Sequence, residues 1–243
     1  MREKAIAMIP ARIGSERLKF KNLALLKNKP LIYYAINAAK KSKLFSKIVL
    51  NSDDKIFRKI AIRYNIGFYL RPKKIGTSNA KSDDVVYDFL NKFPDNKIIS
   101  WVNPIAPLQN EVDLKNIFSF FKKKKLDSLI TSENRTVHAI YQSKPINYKK
   151  NEKFKKTQDI NPIKLFSYCT MVWNVKSFLK NYKKRKSAII CGNFSVFPLE
   201  KYKSIIIKDA QDLKIAENIL TNLKKRKQKI SYDKILKKYG KKN

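Results

Sequence analysis

What most constrains this chain is the order in which two kinds of segment follow one another. Apolar runs of strand length alternate with longer segments of helical period, and a chain patterned that way is expected to form a parallel sheet with crossover helices. Lys4 to Ile9 reads as a buried strand, followed by a long polar loop from Pro10 to Lys29. Pro30 then opens a helix through Ile36 to Ala39, since proline suits the first helical turn. Lys47 to Leu50, Ile66 to Leu70 and Ile98 to Val102 read as further strands. Between them lie a helix capped by Asp53 and running to about Tyr64, and a helix from Lys81 to Phe93 with Val85, Val86, Phe89 and Leu90 on one face. The Pro-punctuated turn Asn103-Pro104-Ile105-Ala106-Pro107 precedes a helix near Asp113 to Lys122 and a strand near Ser128 to Thr131. From Arg135 to Gln158 the alternation fails. Phe166 to Val175 and Ser204 to Ile207 regain strand character, and Asp209 to Leu223 and Tyr232 to Tyr239 read as helices. The expectation is one α/β domain over residues 1–243, a mostly parallel twisted sheet flanked by helices, with an irregular excursion at 135–175.

Composition narrows the function classes. In 243 residues with 43% hydrophobic content a sizeable core can be buried in one domain. No leader pattern opens the sequence and no apolar run approaches the ~18 residues that span a bilayer, so a soluble cytoplasmic protein without membrane insertion is expected. Cys169 and Cys191 are expected to be free thiols. With two Cys and the single His138, a four-ligand Cys/His zinc site is out of reach. His138 reads as a surface or dimer-contact residue, and Trp101 and Trp173, inside strands, read as core.

The net charge of +36, from 55 basic and 19 acidic residues, invites a nucleic-acid reading. The excess is nearly all lysine and is spread over every element, as on a solvated surface. The runs at 122–125, 183–186 and 224–227 sit at or after helix ends, where cations complement the dipole. No nucleic-acid-binding signature accompanies the charge, so a specific nucleic-acid partner is not expected.

In open α/β sheets ligands bind beyond the carboxyl ends of the strands, so the loop after the first strand draws attention. Pro10 to Asn22 holds four basic side chains and Gly14, one of only five glycines. Two of the four are arginines in a lysine-biased chain, which suggests a need for planar, bidentate recognition. A triphosphate fits that need. Backbone N–H groups near Gly14 and Ser15 can turn toward phosphate oxygens while Arg12, Arg17 and Lys21 offset charge. A solvated basic loop is the plainer alternative, and the loop is not of the Walker type.

The sequence Ile9-Pro10-Ala11-Arg12-x-Gly14-Ser15-x-Arg17-Leu18-Lys19-x-Lys21-Asn22-Leu23, with Lys29-Pro30-Leu31-Ile32 after it, resembles the opening signature of the acylneuraminate (CMP-sialic acid) and KDO cytidylyltransferases. Further matches follow at Asn51-Ser52-Asp53-Asp54, Arg71-Pro72, Asn103-Pro104-x-x-Pro107-Leu108 and Thr157-Gln158-Asp159. The resemblance implies a Rossmann-like nucleotidyltransferase fold and transfer of CMP from CTP to a sialic-acid-like sugar acid, with loss of pyrophosphate, for surface polysaccharide synthesis. It implies that Arg12 and Lys21 are catalytic, and that Ala11, Arg12, Gly14, Ser15, Arg17, Lys21, Asn22, Arg71 and Ser82 form the nucleotide site. Asn103 and Gln109 would face the acceptor; Asn103 also suits a turn before Pro. Mg²⁺ or Mn²⁺ would be the cofactor and the excursion would make a homodimer.

Departures from the pattern leave alternatives open. Where the family carries Ile-Asp-Ile-Asp as metal ligands, this chain reads Ile205-Ile206-Ile207-Lys208. Asp209 and Asp212 are the substitute ligands within reach, and Asp209 equally suits a helix N-cap. Ser167-Tyr168-Cys169-Thr170 replaces the family's Arg-Pro-Asn-Gly, and Glu16 stands where a lysine is common. A family member that binds CTP or a CMP-sugar without transferring it is therefore a second expectation, and a basic nucleic-acid binder the third.

Overall fold

A computed structural model of the protein describes residues 5–223 together with 232 and 233. The first half of the chain contains β1 (Ala5–Ala11), the short β2 (Leu25–Leu26) and β3 (Lys29–Pro30), α1 (Ile32–Ser42), β4 (Lys47–Ser52), α2 (Ile56–Arg63), β5 (Gly67–Leu70), α3 (Ser82–Lys92) and β6 (Ile98–Val102). The second half contains α4 (Glu111–Lys123), β7 (Ser128–Arg135), β8 (Ile140–Tyr141), β9 (Lys144–Pro145), β10 (Ile163–Asn174), α5 (Val175–Arg185), β11 (Phe194–Leu199) and α6 (Ala210–Leu223). Seven strands make the main sheet in the order β11-β7-β10-β6-β1-β4-β5. β10 runs antiparallel to β6 and β7, and the other pairings are parallel.

The alternation read from the sequence thus produces the expected sheet. β1 is buried at every residue, as a central strand covered on both faces must be. On one face α3 and α5 pack Val86, Phe89 and Phe178 against Met8, Ile99 and Trp173. On the other, α1 and α2 bring Ile36 and Phe57 against Ile9 and Leu50, and α4 brings Ile117 and Phe121 against Leu129 and Val172. α6 closes a fourth cluster with Leu26, Leu31, Leu108 and Ile207. Cys169 and Cys191 are free and buried, and burial pushes the Cys169 thiol up to about 12.

Several elements differ from the sequence reading. Pro30 pairs with Leu25 in a bridge, so the helix starts at Ile32. Asp53 does not cap α2; Asp54 Oδ1 instead accepts from the Ile56 N–H at 2.8 Å. Ser204 to Ile207 lies outside the sheet. Its Ile207 N–H donates to the Ile105 carbonyl at 2.8 Å, while the edge strand is β11. α5, which the sequence reading marked only by the basic run at 183–186, starts where Asn174 Oδ1 accepts from the Ser177 N–H at 3.1 Å, and buries only Val175, Phe178 and Tyr182. β10 belongs to the sheet, so the irregular part between β7 and β10 is narrower than 135–175. It holds the β8–β9 hairpin and His138, which stacks on Phe154 with 3.9 Å between ring centroids. The helix expected over Tyr232 to Tyr239 lies outside the described residues except for Tyr232 and Asp233, as does the basic run at 224–227.

A nearly buried ion pair ties the segment before α6 to α4. Lys203 Nζ lies 2.8 Å from Asp113 Oδ1 and 3.0 Å from Glu200 Oε1. Burial works against the ammonium, but its hydrogen bonds to Asp113 and Glu200 outweigh that and raise its pKa above the ordinary 10.5. Lys203→Met should cost about 3 kcal/mol in urea unfolding, because the nearly buried Asp113 loses its cation and keeps only the Asn110 N–H on its other oxygen. The folded-state pKa being raised, the wild type's advantage should be complete below pH 10.5 and shrink as pH climbs through the raised value.

Candidate active site

The loop after β1 is shaped by hydrogen bonds that leave its cationic side chains free to converge. The Ile13 N–H donates to Asp53 Oδ1 at 3.2 Å, and Asn22 Nδ2 donates to the Arg12 carbonyl at 3.1 Å. The Ser15 N–H turns back to the Ile13 carbonyl at 2.9 Å. Phe20, with φ of 52°, reverses the chain into the short 3-10 turn Lys21–Leu23 that sets Lys21 on the rim. Asp53 also stands 4.0 Å from Arg71 Nη2. The next turn packs so closely that a Cβ on Gly76 would lie 2.4 Å from the Cβ of Asp53.

These segments enclose a cleft of about 320 Å³ beyond the carboxyl ends of β1 and β6. Arg12, Ser15, Arg17, Lys21 and Asn22 line it from the first loop, Arg71 from the end of β5, Ser82 from the start of α3, and Asn103 from the turn after β6. Ala11 is the buried last residue of β1, and Gly14 is exposed in the loop; neither lines the cleft. Gln109 lies outside it too. Its side chain is buried, and Oε1 accepts from Thr170 Oγ1 at 2.6 Å. Asn103 borders the cleft and holds the turn, as its place before Pro suggested, its Oδ1 accepting from the Ile105 N–H at 3.3 Å while Nδ2 donates to the Tyr168 carbonyl at 3.0 Å.

Charge is concentrated where water is scarce. Burial, then the neighbouring Arg17 and Arg12, lower the pKa of Lys21, with Asp212 and Asp209 opposing. Arg71 is only 6% exposed; burial lowers its pKa, Asp53 opposes, and Arg12 lowers it further. The Arg71 Nε, the Asn22 Oδ1 and the Trp101 Nε1 are buried without hydrogen-bond partners, and all three residues line the cleft. Buried polar atoms are nearly always satisfied; Asn51, Gln109, Ser132 and His138 also carry such atoms but lie outside the cleft. Trp101, which the sequence reading assigned to the core, packs against the α3–α5 core and also lines the cleft. Its position two residues before Asn103, on a strand whose carboxyl end opens onto the cleft, was the available signal.

Asp209 and Asp212 lie on the Lys21 side, where Lys21 Nζ approaches the Lys208 carbonyl at 3.5 Å. Asp209 caps α6, its Oδ1 accepting from the Asp212 N–H at 3.0 Å, while Asp212 Oδ2 accepts from the Lys208 N–H at 2.7 Å. Each carboxylate keeps a second oxygen outside these bonds. No cluster of three or more His, Cys, Asp or Glu side chains able to hold a metal occurs among the described residues. Neither aspartate lines the cleft, but two carboxylates beside a basic loop are a donor set that suits Mg²⁺, which takes one or two carboxylates and completes its shell with other oxygens and water.

With this geometry established, comparison with known proteins is informative. The family model described as cytidylyltransferase matches residues 6–234. The chain belongs to the cytidylyltransferase family. It is 26% identical over 243 residues to the N-acylneuraminate cytidylyltransferase of Escherichia coli O18:K1:H7, covering 95% of this chain and 55% of that protein. It is 31% identical over 124 residues to the CMP-N,N'-diacetyllegionaminic acid synthase of Legionella pneumophila, covering 49% of this chain and 53% of that one. The chain thus spans about half the length of these curated relatives. Among solved structures, a CMP:2-keto-3-deoxy-manno-octonic acid synthetase complexed with CTP superposes with a TM-score of 0.70 at 13% identity, covering 91% of this chain and 100% of that one. The 4-diphosphocytidyl-2C-methyl-D-erythritol synthase of Anaerococcus prevotii gives 0.64 at 12% identity, covering 90% and 99%. These likenesses show the Rossmann-like cytidylyltransferase fold. No helix among the described residues is long and apolar enough to cross a membrane.

Asp53→Ala should unpin the first loop without removing a cleft residue. The expected result is faster hydrogen exchange at the Ile13 amide, by at least tenfold, and a stability loss of about 2 kcal/mol as Arg71 loses its nearest carboxylate. Gly76→Ala, which would push Asp53 aside, should shift the same amide in the same direction.

Proposed function

We propose that this chain transfers CMP from CTP to a sialic-acid-like nonulosonic acid or a related sugar acid, releasing pyrophosphate, in surface-polysaccharide synthesis. The observation that carries the reading is the convergence of Arg12, Arg17, Lys21 and the buried Arg71 on one cleft that also holds unpartnered polar atoms. The family membership and the names of the relatives, which include acylneuraminate and legionaminic acid enzymes, support it.

In this reading the triphosphate lies along the first loop, with the Ser15 hydroxyl and the side chains of Arg12, Arg17 and Lys21 around it. A hydroxyl of the acceptor attacks the α-phosphorus as the bond to the β-phosphate oxygen breaks, and the cations offset charge on the departing pyrophosphate. Arg71, Asn22 and Ser82 fix the nucleoside end, and Asn103 borders the acceptor. The burial of Gln109 fits a supporting role for it beneath the acceptor side better than direct contact. Asp209 and Asp212 would hold Mg²⁺ or Mn²⁺, which when bound supplies further charge neutralisation on the phosphates. A homodimer fits the excursion, where Val137, Ile140, Tyr141, Ile146 and Phe154 are exposed and would be covered by a second copy.

Pyrophosphate release from CTP, measured with Mg²⁺ and then Mn²⁺ against a panel of nonulosonic acids and KDO, tests the reading. Turnover on one of these acids is expected. Lys21→Ala and Arg12→Ala should each lower it at least a hundredfold while leaving the thermal midpoint within about 2 °C of wild type. CTP binding without turnover on any acid would replace transfer by nucleotide binding alone. Failure to bind CTP would overturn the reading.

A further inference from the structure

Another cavity, of about 900 Å³, opens at the opposite end of the sheet from the cleft. It is lined by Ile98, the first residue of β6, and by Asn174, the last residue of the antiparallel β10, which pair with each other. The end of α4 reaches it from one face of the sheet and α5 from the other. Six lysines line it: Lys97 before β6, Lys122 in the last turn of α4 and Lys125 just after it, and Lys176, Lys180 and Lys183 on α5. All six are exposed. The three on α5 recur at i, i+4 and i+7 and so form one stripe of the helix, while Phe178 and Tyr182 face the core. Asp127 is the one acid among the lining residues. Both its oxygens are engaged, Oδ1 by the Ser177 hydroxyl and Oδ2 by the Asn193 N–H at 2.8 Å. Lys97, Lys125, Lys176, Lys180 and Lys183 form no ion pair among the described residues.

Helix dipoles account for the lysines at the ends of α4 and α5 but not for two of the six. Lys176 sits in the first turn of α5, where the dipole disfavours a cation, and no acid stands in that turn. Lys97 is on no helix. Between the charges the wall is apolar. Pro94 is exposed and Leu179 half-buried, the lysine stems flank them, and the buried Phe121 and Val175 close the floor.

We propose that this cavity docks an acidic segment of a partner protein, its carboxylates paired with lysines of α4, α5 and the start of β6 and an apolar side chain laid between them against Leu179. Six cations call for negative charge, which neither a second copy of this chain at +36 nor its own lysine-rich residues 224–243 supplies. A small anion would meet only part of a lysine set drawn from three segments. A nucleic-acid strand would find no exposed aromatic on which to stack a base, since Phe121 is the one aromatic in the lining and is 4% exposed. A bilayer surface is flat, and these lysines surround a hollow. None of the lining residues belongs to the cleft, so the inference stands apart from the nucleotide reading.

The test is fluorescence anisotropy at about 0.15 M salt with a fluorescein-labelled peptide of repeated Glu-Glu-Leu units. A peptide with serine in place of leucine, labelled oligothymidylate and phosphatidylglycerol vesicles are measured beside it. Saturable binding of the leucine peptide is expected, with the serine peptide about tenfold weaker. Lys97→Glu and Lys180→Glu should each weaken the leucine peptide at least tenfold. Lys41→Glu, which makes the same charge change at an exposed position of α1 away from the cavity, should leave its affinity unchanged. Absence of saturable binding, an equal loss in all three variants, or equal affinity for the two peptides would each overturn the proposal. Tighter binding of the oligonucleotide or the vesicles, lost in Lys97→Glu and Lys180→Glu, would overturn it in favour of a nucleic acid or a membrane surface. If a charge-reversed protein does not fold, Lys97→Ala and Lys180→Ala take its place, with the same outcomes deciding.

Discussion

The cleft depends on where one carboxylate sits. Asp53 follows β4 directly, yet its oxygen is spent on the neighbouring strand's loop, accepting from the Ile13 N–H and facing the Arg71 guanidinium. Three segments that are distant in sequence are thereby fixed to one point: the loop after β1, the end of β4 and the residue after β5. Parallel strands make this arrangement possible, because β1, β4 and β5 all end on the same side of the sheet. The close packing of Gly76 on Asp53 adds the turn that leads to α3. Without that carboxylate, a buried guanidinium and a backbone amide would both lose the oxygen they share, and each costs free energy when left unsatisfied.

The concentration of positive charge beside that point is costly for the empty protein. Burial of Lys21, and then the charges of Arg17 and Arg12 beside it, lower its pKa. The lysines elsewhere on the surface are mostly exposed and share none of this crowding. The distinction between a basic surface and a basic site is one of burial and convergence, and net charge alone does not reveal it.

Much of this was legible in the sequence, for a physical reason in each case. The central strands carry continuous apolar runs because both faces are covered, so β1, β4 and β6 stood out. The basic residues that line the cleft from the first loop were legible because arginine is scarce in this chain and occurs twice in that loop. α5 was not legible, because three buried positions, Val175, Phe178 and Tyr182, leave its lysine-rich remainder looking like solvated chain. β11 escaped because it is an edge strand, half-exposed over most of its length. Ser204 to Ile207 misled in the opposite way: it is extended and apolar but uses its isoleucines to seat α6.

The antiparallel strand has a consequence for assembly. β10 lies between β6 and β7, although β7 precedes it in the chain. β7 therefore joins the sheet through β10 and not by adding to β6. The pairing of residues 5–8 with 98–101 spans more of the chain than that of residues 128–135 with 163–173, and pairings across long separations form slowly. The segment between β7 and β10 begins and ends at the same side of the sheet, and closure entropy grows only slowly with length. It can lengthen, shorten or change its surface while the strands that carry the cleft keep their register.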